Sequence, residues 1–453
     1  MAKYQPLPEQ SEWGNQLQHF REDVLQLSRA EFAELLNRKG GEMKVNVSCG
    51  ERLVTRWEQG DVKTPTAVYK RLFRAIGAPE AGDCRASVVQ VQTAVTVDVE
   101  TPANDQDFLG AIAAAAVGSP ADLTPWLPEP MLAARPTPED VGPPDVEHVR
   151  LVTASLRSVD QRHGGLAVVD AAEGLLRSTE HLLHGCQDDA TATAMSMALA
   201  SLARLTGWAY HDAGEQHRAR CYLALAFLYA QQAGADSLAA SIFYVLGRIS
   251  LFERQPKSAL RLFQLGQISA QDAANRAESA RLYSNSAWAH AMMGNERQMR
   301  DSLARAEHEM SLVDEQDIDP WTQVFFTSGE YTGLTAVIYN EFAAATDSVA
   351  LADRYAIIAV DTARASLRAS QPDRPRRSLL FDLTTIATGC FRLRDRENAI
   401  DSGATALGMT GAVLSARALD RLRSMATAAT GLRDYSDVRD VCHQVGQLAL
   451  PSP

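Results

Sequence analysis

The sequence predicts an all-α protein in two parts, a small N-terminal helical domain and a long helical array, and three observations predict it. Hydrophobic residues make up 46% of the 453 residues, enough for large packed cores. From about residue 147 to 450 the chain is rich in Ala, Leu and Arg, poor in proline and short of strand-like alternation. A pattern of small residues also recurs there every 40 residues.

Punctuation along the chain sets the boundaries of three regions: 1–78, 79–146 and 147–450. In the first, a helix over 12–26 places Trp13, Leu17, Phe20, Val24 and Leu25 inward. Ser28-Arg29-Ala30-Glu31 reads as a capping box opening a second helix, with Phe32, Leu35 and Leu36 inward. Ser48-Cys49-Gly50-Glu51 reads as another, opening a helix that ends at Gln59 with Gly60 after it. Thr64-Pro65 then reads as an N-cap and first-turn proline for a fourth helix, with Val68, Tyr69, Leu72, Phe73 and Ile76 inward. On the 49–59 helix Leu53, Val54 and Trp57 share one face, and Arg52, Thr55, Arg56 and Gln59 share another. The expectation is that Trp57 and Phe32 are core, that Cys49 is a small buried filler, and that Arg21 pairs with Glu58.

The second region changes character. Residues 88–99 (VVQVQTAVTVDV) alternate as an extended segment would, and 107–117 read as one Ala-rich helix. Eight prolines between 118 and 146 predict a stiff, partly extended linker.

In the third region Gly207 is followed by Ala219, Leu223 and Ala226, at +12, +16 and +19. Gly247 is followed at the same offsets by Ala259, Phe263 and Gly266, and Ala287 by Met299, Leu303 and Ala306. Looser copies start at Ala167, Gly333 and Ala387. Two antiparallel helices approach closely only where side chains are small, and the large residue at +16 fills the groove beside them. One such hairpin cannot bury its apolar face, so neighbours must stack.

Charge separates the parts. The chain carries a formal net charge of −12, which excludes a uniformly basic nucleic-acid binder, but residues 1–78 hold 12 basic and 10 acidic groups. Five of the six lysines lie in that head, which suits contact with phosphate. The six cysteines are scattered, with no C-x-x-C pair, and predict reduced thiols in a cytoplasmic protein without a zinc site. No signal-like segment opens the chain, and its longest apolar stretch, 108–117, is too short to span a membrane. No P-loop, dinucleotide fingerprint, H-E-x-x-H or G-x-S-x-G is present, so the sequence nominates no catalytic residue and no cofactor.

The run Leu53-Val54-Thr55-Arg56-Trp57-Glu58-Gln59-Gly60, followed by Pro65, resembles the end of the recognition helix in Xre/Cro-type helix-turn-helix proteins. The array resembles the tetratricopeptide repeat (TPR), with units of 40 residues where that family has 34 and without its closing proline. The connection between the two central helices, residues 38–47, is longer than the usual three or four. It is expected to be a wing-like loop or a device that places the third helix differently. The combined layout is similar to actinobacterial Xre–TPR regulators of development and secondary metabolism, and to peptide-responsive Gram-positive regulators.

What the resemblance implies is a sequence-specific transcriptional regulator, not an enzyme, that binds double-stranded DNA as a homodimer and answers to a peptide or small-molecule effector. The residues expected at DNA are Arg52 and Thr55, with Glu51 either accepting from cytosine or capping its own helix. Arg29, Lys44, Ser48, Arg56 and Lys63 are expected at phosphates. Near the repeat origins Tyr210, Tyr244, Arg248, Asn285 and His290 are expected to meet the effector, Arg248 through a carboxylate. The alternative is a TPR-type interaction scaffold whose head has lost DNA binding.

Overall fold

The computed structural model describes residues 12–25, 27–42, 45, 47–59, 62, 65–76, 78, 105–116, 118, 123–128, 140–314, 318–323, 327–369, 374–413 and 415–450. Among them all regular structure is helical, and one isolated bridge, Val141 to Cys186, is the only extended pairing. No described helix is long and apolar enough to cross a membrane. The chain divides into two compact units, Met1–Gln92 and Thr93–Pro453.

The N-terminal unit contains α1 (Glu12–His19), α2 (Arg29–Glu42), α3 (Glu51–Glu58) and α4 (Ala67–Ala75). The helix expected over 12–26 is α1 continued by a widened turn, Phe20–Val24, in which the Leu25 N–H donates to Phe20 O at 3.0 Å. Trp13, Leu17, Phe32, Leu36, Val54, Trp57, Leu72 and Phe73 form one buried core, with Cys49 in it as a filler. The edges of Tyr69 and Phe73 meet Trp57 at ring separations of 4.9 and 5.1 Å. Gly14 lets α1 cross the end of α3, since a Cβ there would lie 2.4 Å from Glu58 O.

Local chemistry at the helix starts is half as expected. The Ser28 box forms: Ser28 Oγ accepts from the Glu31 N–H at 3.3 Å, and the Ser28 N–H donates to Glu31 Oε2 at 2.7 Å. The Ser48 box does not, because α3 begins at Glu51 and its N-cap is Gly50, which has no side chain to cap with. Of residues 38–47, Met43, Lys44 and Asn46 lie outside the described residues. The helix α2 runs on to Glu42, and the chain folds back on it, with the Val45 N–H donating to Gly40 O at 2.9 Å. Asn37 then brackets Cys49, accepting from its N–H at 2.7 Å and donating to its carbonyl at 2.9 Å. Pro65 is buried just ahead of α4, two residues before the helix starts, while Gly60 and Thr64 lie outside the described residues.

The second unit begins earlier than the 79–146 linker reading allows. Residues 88–99 lie outside the described residues. The helix α5 (Asp105–Ala116) forms as the Ala-rich stretch predicts, but it is not free: Phe108, Ile112, Ala115, Leu123 and Trp126 are buried in the core of the array. Gln231 Nε2 caps its end by donating to Ala115 O at 2.8 Å. The apolar residues between the prolines outweigh the extended tendency wherever they can be buried. Two of the eight prolines, Pro143 and Pro144, open α6 (Pro143–His163), where a missing N–H costs nothing.

Helix pairs follow. After α7 (Val169–Thr179) come α8 (Asp189–Ala213), α9 (Gln216–Gln232), α10 (Asp236–Phe252), α11 (Pro256–Asp272), α12 (Arg276–Met292) and α13 (Glu296–Ser311). A short turn, α14 (Pro320–Gln323), precedes α15 (Ser328–Ala345), α16 (Val349–Arg368), α17 (Arg376–Arg392) and α18 (Arg396–Gly408). Then come α19 (Thr410–Val413), α20 (Ala416–Ala428) and α21 (Ser436–Gln447). Consecutive helices pack as hairpins and each hairpin packs on the next, an all-α solenoid-like stack.

The 40-residue period has a physical origin. Each of α9 to α12 has 17 residues, and a tight turn joins it to the next. Every turn places a left-handed residue 20 positions after the last: Gly234, Arg254, Ala274 and Gly294. The following N–H reaches back to the last helical turn each time, as in Gln255 N to Ser250 O at 2.8 Å and Asn275 N to Ala270 O at 2.8 Å. The small origins do what their spacing predicts. A Cβ on Gly247 would sit 2.1 Å from Phe263 Cε1, and one on Gly207 2.7 Å from Leu223 Cγ. The Ala387 copy also holds, with Ala387, Ala399 and Ala406 fully buried. The Gly333 copy does not. Its helix ends at Ala345, and Val349 is 75% exposed at the start of the next.

Candidate functional site

On α3 the two faces separate as expected. Val54, Trp57 and Glu58 are buried, while Glu51, Arg52, Arg56 and Gln59 are exposed. Arg52 and Arg56 are four residues apart, so two guanidinium groups stand on one exposed helix face. Thr55 is half-buried between them, its Oγ1 donating to Glu51 O at 2.9 Å, and Ser48 is exposed just before the helix. Lys44 and Lys63 lie outside the described residues.

Arg29 is placed differently from its expected role at phosphate. Its Nε donates to Glu58 Oε2 at 2.6 Å, and the other oxygen of Glu58 accepts from Arg21 Nε at 2.6 Å. The expected Arg21–Glu58 pair is therefore present, with Arg29 as its second cation. Glu58 is 1% exposed, so this carboxylate needs both partners. Arg21 also donates to Leu27 O at 2.8 Å, which ties the turn after α1 to the rear of α3. Burial works against the Arg21 charge, yet bonds to Glu58 and Glu22 hold its pKa above the ordinary value. Burial pushes the Cys49 thiol up to about 11, so the start of α3 does not activate it.

The array holds a second site. Tyr244 and Arg248 of α10, Asn285 of α12, Arg417 and Arg421 of α20 and Phe381 of α17 are among the residues around a cavity of about 80 Å³. Room for several waters is available on that scale. Six arginines line it against two carboxylates, Glu330 and Asp382. Aromatic faces carry the guanidinium groups: Arg281 lies 4.0 Å over Tyr244, Arg248 4.2 Å over Trp288, Arg417 4.3 Å over Trp208 and Arg421 4.3 Å over Phe381.

Three of the five residues expected to meet an effector come together here. Arg248 Nη1 donates to Asn285 Oδ1 at 3.1 Å, and Tyr244 stacks on Trp208 at 6.3 Å. Tyr210 goes elsewhere: its ring stacks on Tyr222 at 5.3 Å, and both hydroxyls donate to Glu173. His290 also lies off the cavity, half-buried, with burial holding its pKa below the usual value.

Missed in the sequence were Arg281, Arg417, Arg421 and the tryptophans. One signal for them exists. The position after each small origin is Trp208, Arg248 and Trp288 in three successive repeats, and all three line the cavity. Arg417 and Arg421 carry no such signal, because α20 lies outside the regular repeats.

The cavity wall is closed by a bracket between distant helices. Asp212 of α8 is fully buried and accepts from Arg417 Nε at 2.7 Å, Arg377 Nη1 at 2.9 Å and the Gly165 N–H at 2.9 Å. It remains ionised because these partners outweigh its burial, and its pKa falls well below the carboxylate range. Among the described residues no group of three His, Cys, Asp or Glu side chains is gathered to hold a metal ion, and the five described cysteines are free thiols. Cys84 lies outside the described residues. No family model, curated protein or solved structure matches this chain, so both sites are read from its own residues.

Proposed function

We propose that the protein is a DNA-binding transcriptional regulator of the cytoplasm, with α3 as its recognition helix and the array as its sensing half. One observation carries this reading: α3 is anchored from behind by Trp57 and Glu58 while Arg52 and Arg56 stand exposed on its front face. Such a helix fits a major groove, where an arginine reads guanine bidentately and contributes about 1–3 kcal/mol of discrimination. The tie between Arg29 and Glu58 keeps α2 and α3 in a fixed mutual placement, which groove reading requires. A homodimer would set two such helices against half-sites roughly 34–36 Å apart. The reading is of a binder, not an enzyme.

The test is selection of bound duplexes from a random pool by the full chain, followed by gel retardation of the enriched sequence. The expected result is one enriched motif whose retardation weakens steeply with salt and is lost in Arg52→Ala/Arg56→Ala. A pool with no enriched motif, or retardation indifferent to both substitutions, overturns the reading and leaves the array as an interaction scaffold.

A further inference from the structure

Two of the arginines around the cavity in the array carry no ion pair among the described residues. Arg281 is paired with Glu278, Arg374 with Asp382 and Glu330, and Arg377 and Arg417 share Asp212. Arg248 and Arg421 have no such partner among the described residues. Arg248 bonds the neutral Asn285 and lies over the face of Trp288, and Glu341 acts on it only through space. Arg421 lies over the faces of Phe381 and Trp288, and Glu341 and Asp420 act on it only through space, without a bond. Glu341 and Asp420 line the adjoining cavity, where their ion pairs are with Arg254 at 3.2 and 3.5 Å.

Hydrogen bonding points the same way. Arg248 Nε, Arg281 Nη1, Arg417 Nη2 and Trp288 Nε1 are buried without a partner, and all four are N–H donors. Their residues are at least nine-tenths buried, at 9, 1, 8 and 8% exposure. A buried donor without an acceptor is costly, and more so on a charged group. Burial and the neighbouring Arg417 bring Arg248 down to about 10, and burial with Arg248 and Arg417 brings Arg421 down to about 9. What the cavity lacks is an acceptor-only group carrying about two negative charges.

We propose that this cavity binds a phosphoryl group as its dianion, with Arg248 and Arg421 supplying the balancing charge and Arg281 Nη1 and Arg417 Nη2 supplying further donors. A tetrahedral oxyanion presents acceptors in several directions at once, which suits donors arriving from α10, α12 and α20. Planar guanidinium groups already fixed on aromatic faces lose little freedom when they bind it. The proposal deepens the sensing role given to the array above and rests on that reading for its regulatory meaning. Binding itself is measured without DNA, so the two readings fail separately.

The experiment is calorimetry and thermal unfolding of the full chain in phosphate-free buffer, titrated with inorganic phosphate, with glycerol phosphate as a monoester, and with citrate. Saturable binding of phosphate or of the monoester is expected, with a midpoint temperature that rises with ligand concentration. The tighter of the two identifies the source as the free anion or an esterified metabolite. Arg248→Gln and Arg421→Gln should each weaken binding about 10- to 100-fold, without lowering the ligand-free midpoint, since each removes an unbalanced charge. Arg421→Lys should recover part of the loss, and Arg297→Gln on the exposed face of α13 should change nothing. No saturable binding of either phosphoryl probe to the wild-type chain, citrate bound in their place, or unchanged affinity in both glutamine variants would overturn the proposal.

Discussion

Arginine is put to opposite uses in the two units. In the N-terminal unit Arg52 and Arg56 stand in solvent on α3, and Glu58, the one buried carboxylate among the described residues, is bonded by both Arg21 and Arg29. Around the array's cavity the guanidinium groups are turned onto aromatic faces, and six of them line it with two carboxylates. The lesson is that the meaning of an arginine lies in its balance. An exposed pair on a helix is available to an external anion at little cost, whereas a pair largely withdrawn from water and without an ion pair gains most from an anion that can enter.

Breaking the balance where it is tightest should have the largest effect. Asp212→Ala leaves Arg377 and Arg417 facing each other in the interior without their shared carboxylate. The loss is expected to be about 5 kcal/mol. Hydrogen exchange should accelerate along α8, α17 and α20 while α2 to α4 keep their protection; unchanged protection in the array would show that the bracket is incidental.

The matching change in the head is smaller. Glu58→Gln keeps the shape of the side chain but removes the charge between Arg21 and Arg29, for an expected cost of about 3 kcal/mol in urea unfolding. It should also weaken duplex binding even though Glu58 itself is sealed behind α3. Full binding with reduced stability would separate folding of the head from placement of its helix.

His211 sharpens the comparison through pH. Burial, then Arg417 and Arg248, bring its pKa down to about 3, although Gln216 bonds its Nδ1 at 2.7 Å and Asp212 lies near. The folded state therefore stays neutral there while the unfolded chain takes up a proton below about 6.5. Stability from this group is present above pH 6.5 and is lost as pH falls towards 3. Asp160, raised to about 6 mainly by burial, works the other way, since acidification through pH 6 lets the folded state accept its proton. His211→Gln should lessen acid sensitivity, with a difference from wild type of about 3 kcal/mol by pH 4. Parallel stability curves for the two proteins would exclude a buried neutral imidazole.

The smallest effect expected is a gain. Ala274 sits at φ 51°, the left-handed conformation that Gly234 and Gly294 occupy at the equivalent turns. Ala274→Gly should stabilise the array by up to about 1 kcal/mol, offset in part by the entropy of the unfolded chain. A loss on this substitution would mean that the methyl group packs in a way the turn geometry does not reveal.

Much of the fold was legible. The small-residue offsets located the contacts of Gly207 with Leu223 and Gly247 with Phe263, and the amphipathic split of α3 located both the Trp57 anchor and the exposed arginines. These features are local or repeat at a fixed period, and sequence patterns carry such information. The Gly333 copy misled because that glycine is small for another reason: a Cβ there would lie 2.8 Å from Asp382 Oδ1, in a polar network unrelated to hairpin packing. Burial of Trp126 was hidden by the prolines around it. Half of the cavity was hidden for a deeper reason. Arg248 and Arg421 are 173 positions apart in the chain, and only the course of the stack brings them together.

The Asp212 bracket changes how such a stack must come apart. A row of hairpins that touch only their neighbours can fray from either end, one unit at a time. Here an early helix is locked to two late ones, 165 and 205 positions on, so the last hairpins cannot peel away without exposing an ionic knot near the first. The ends are thereby thermodynamically joined, and whatever loosens α20 is felt at α8 directly, with no need to pass through every turn between them.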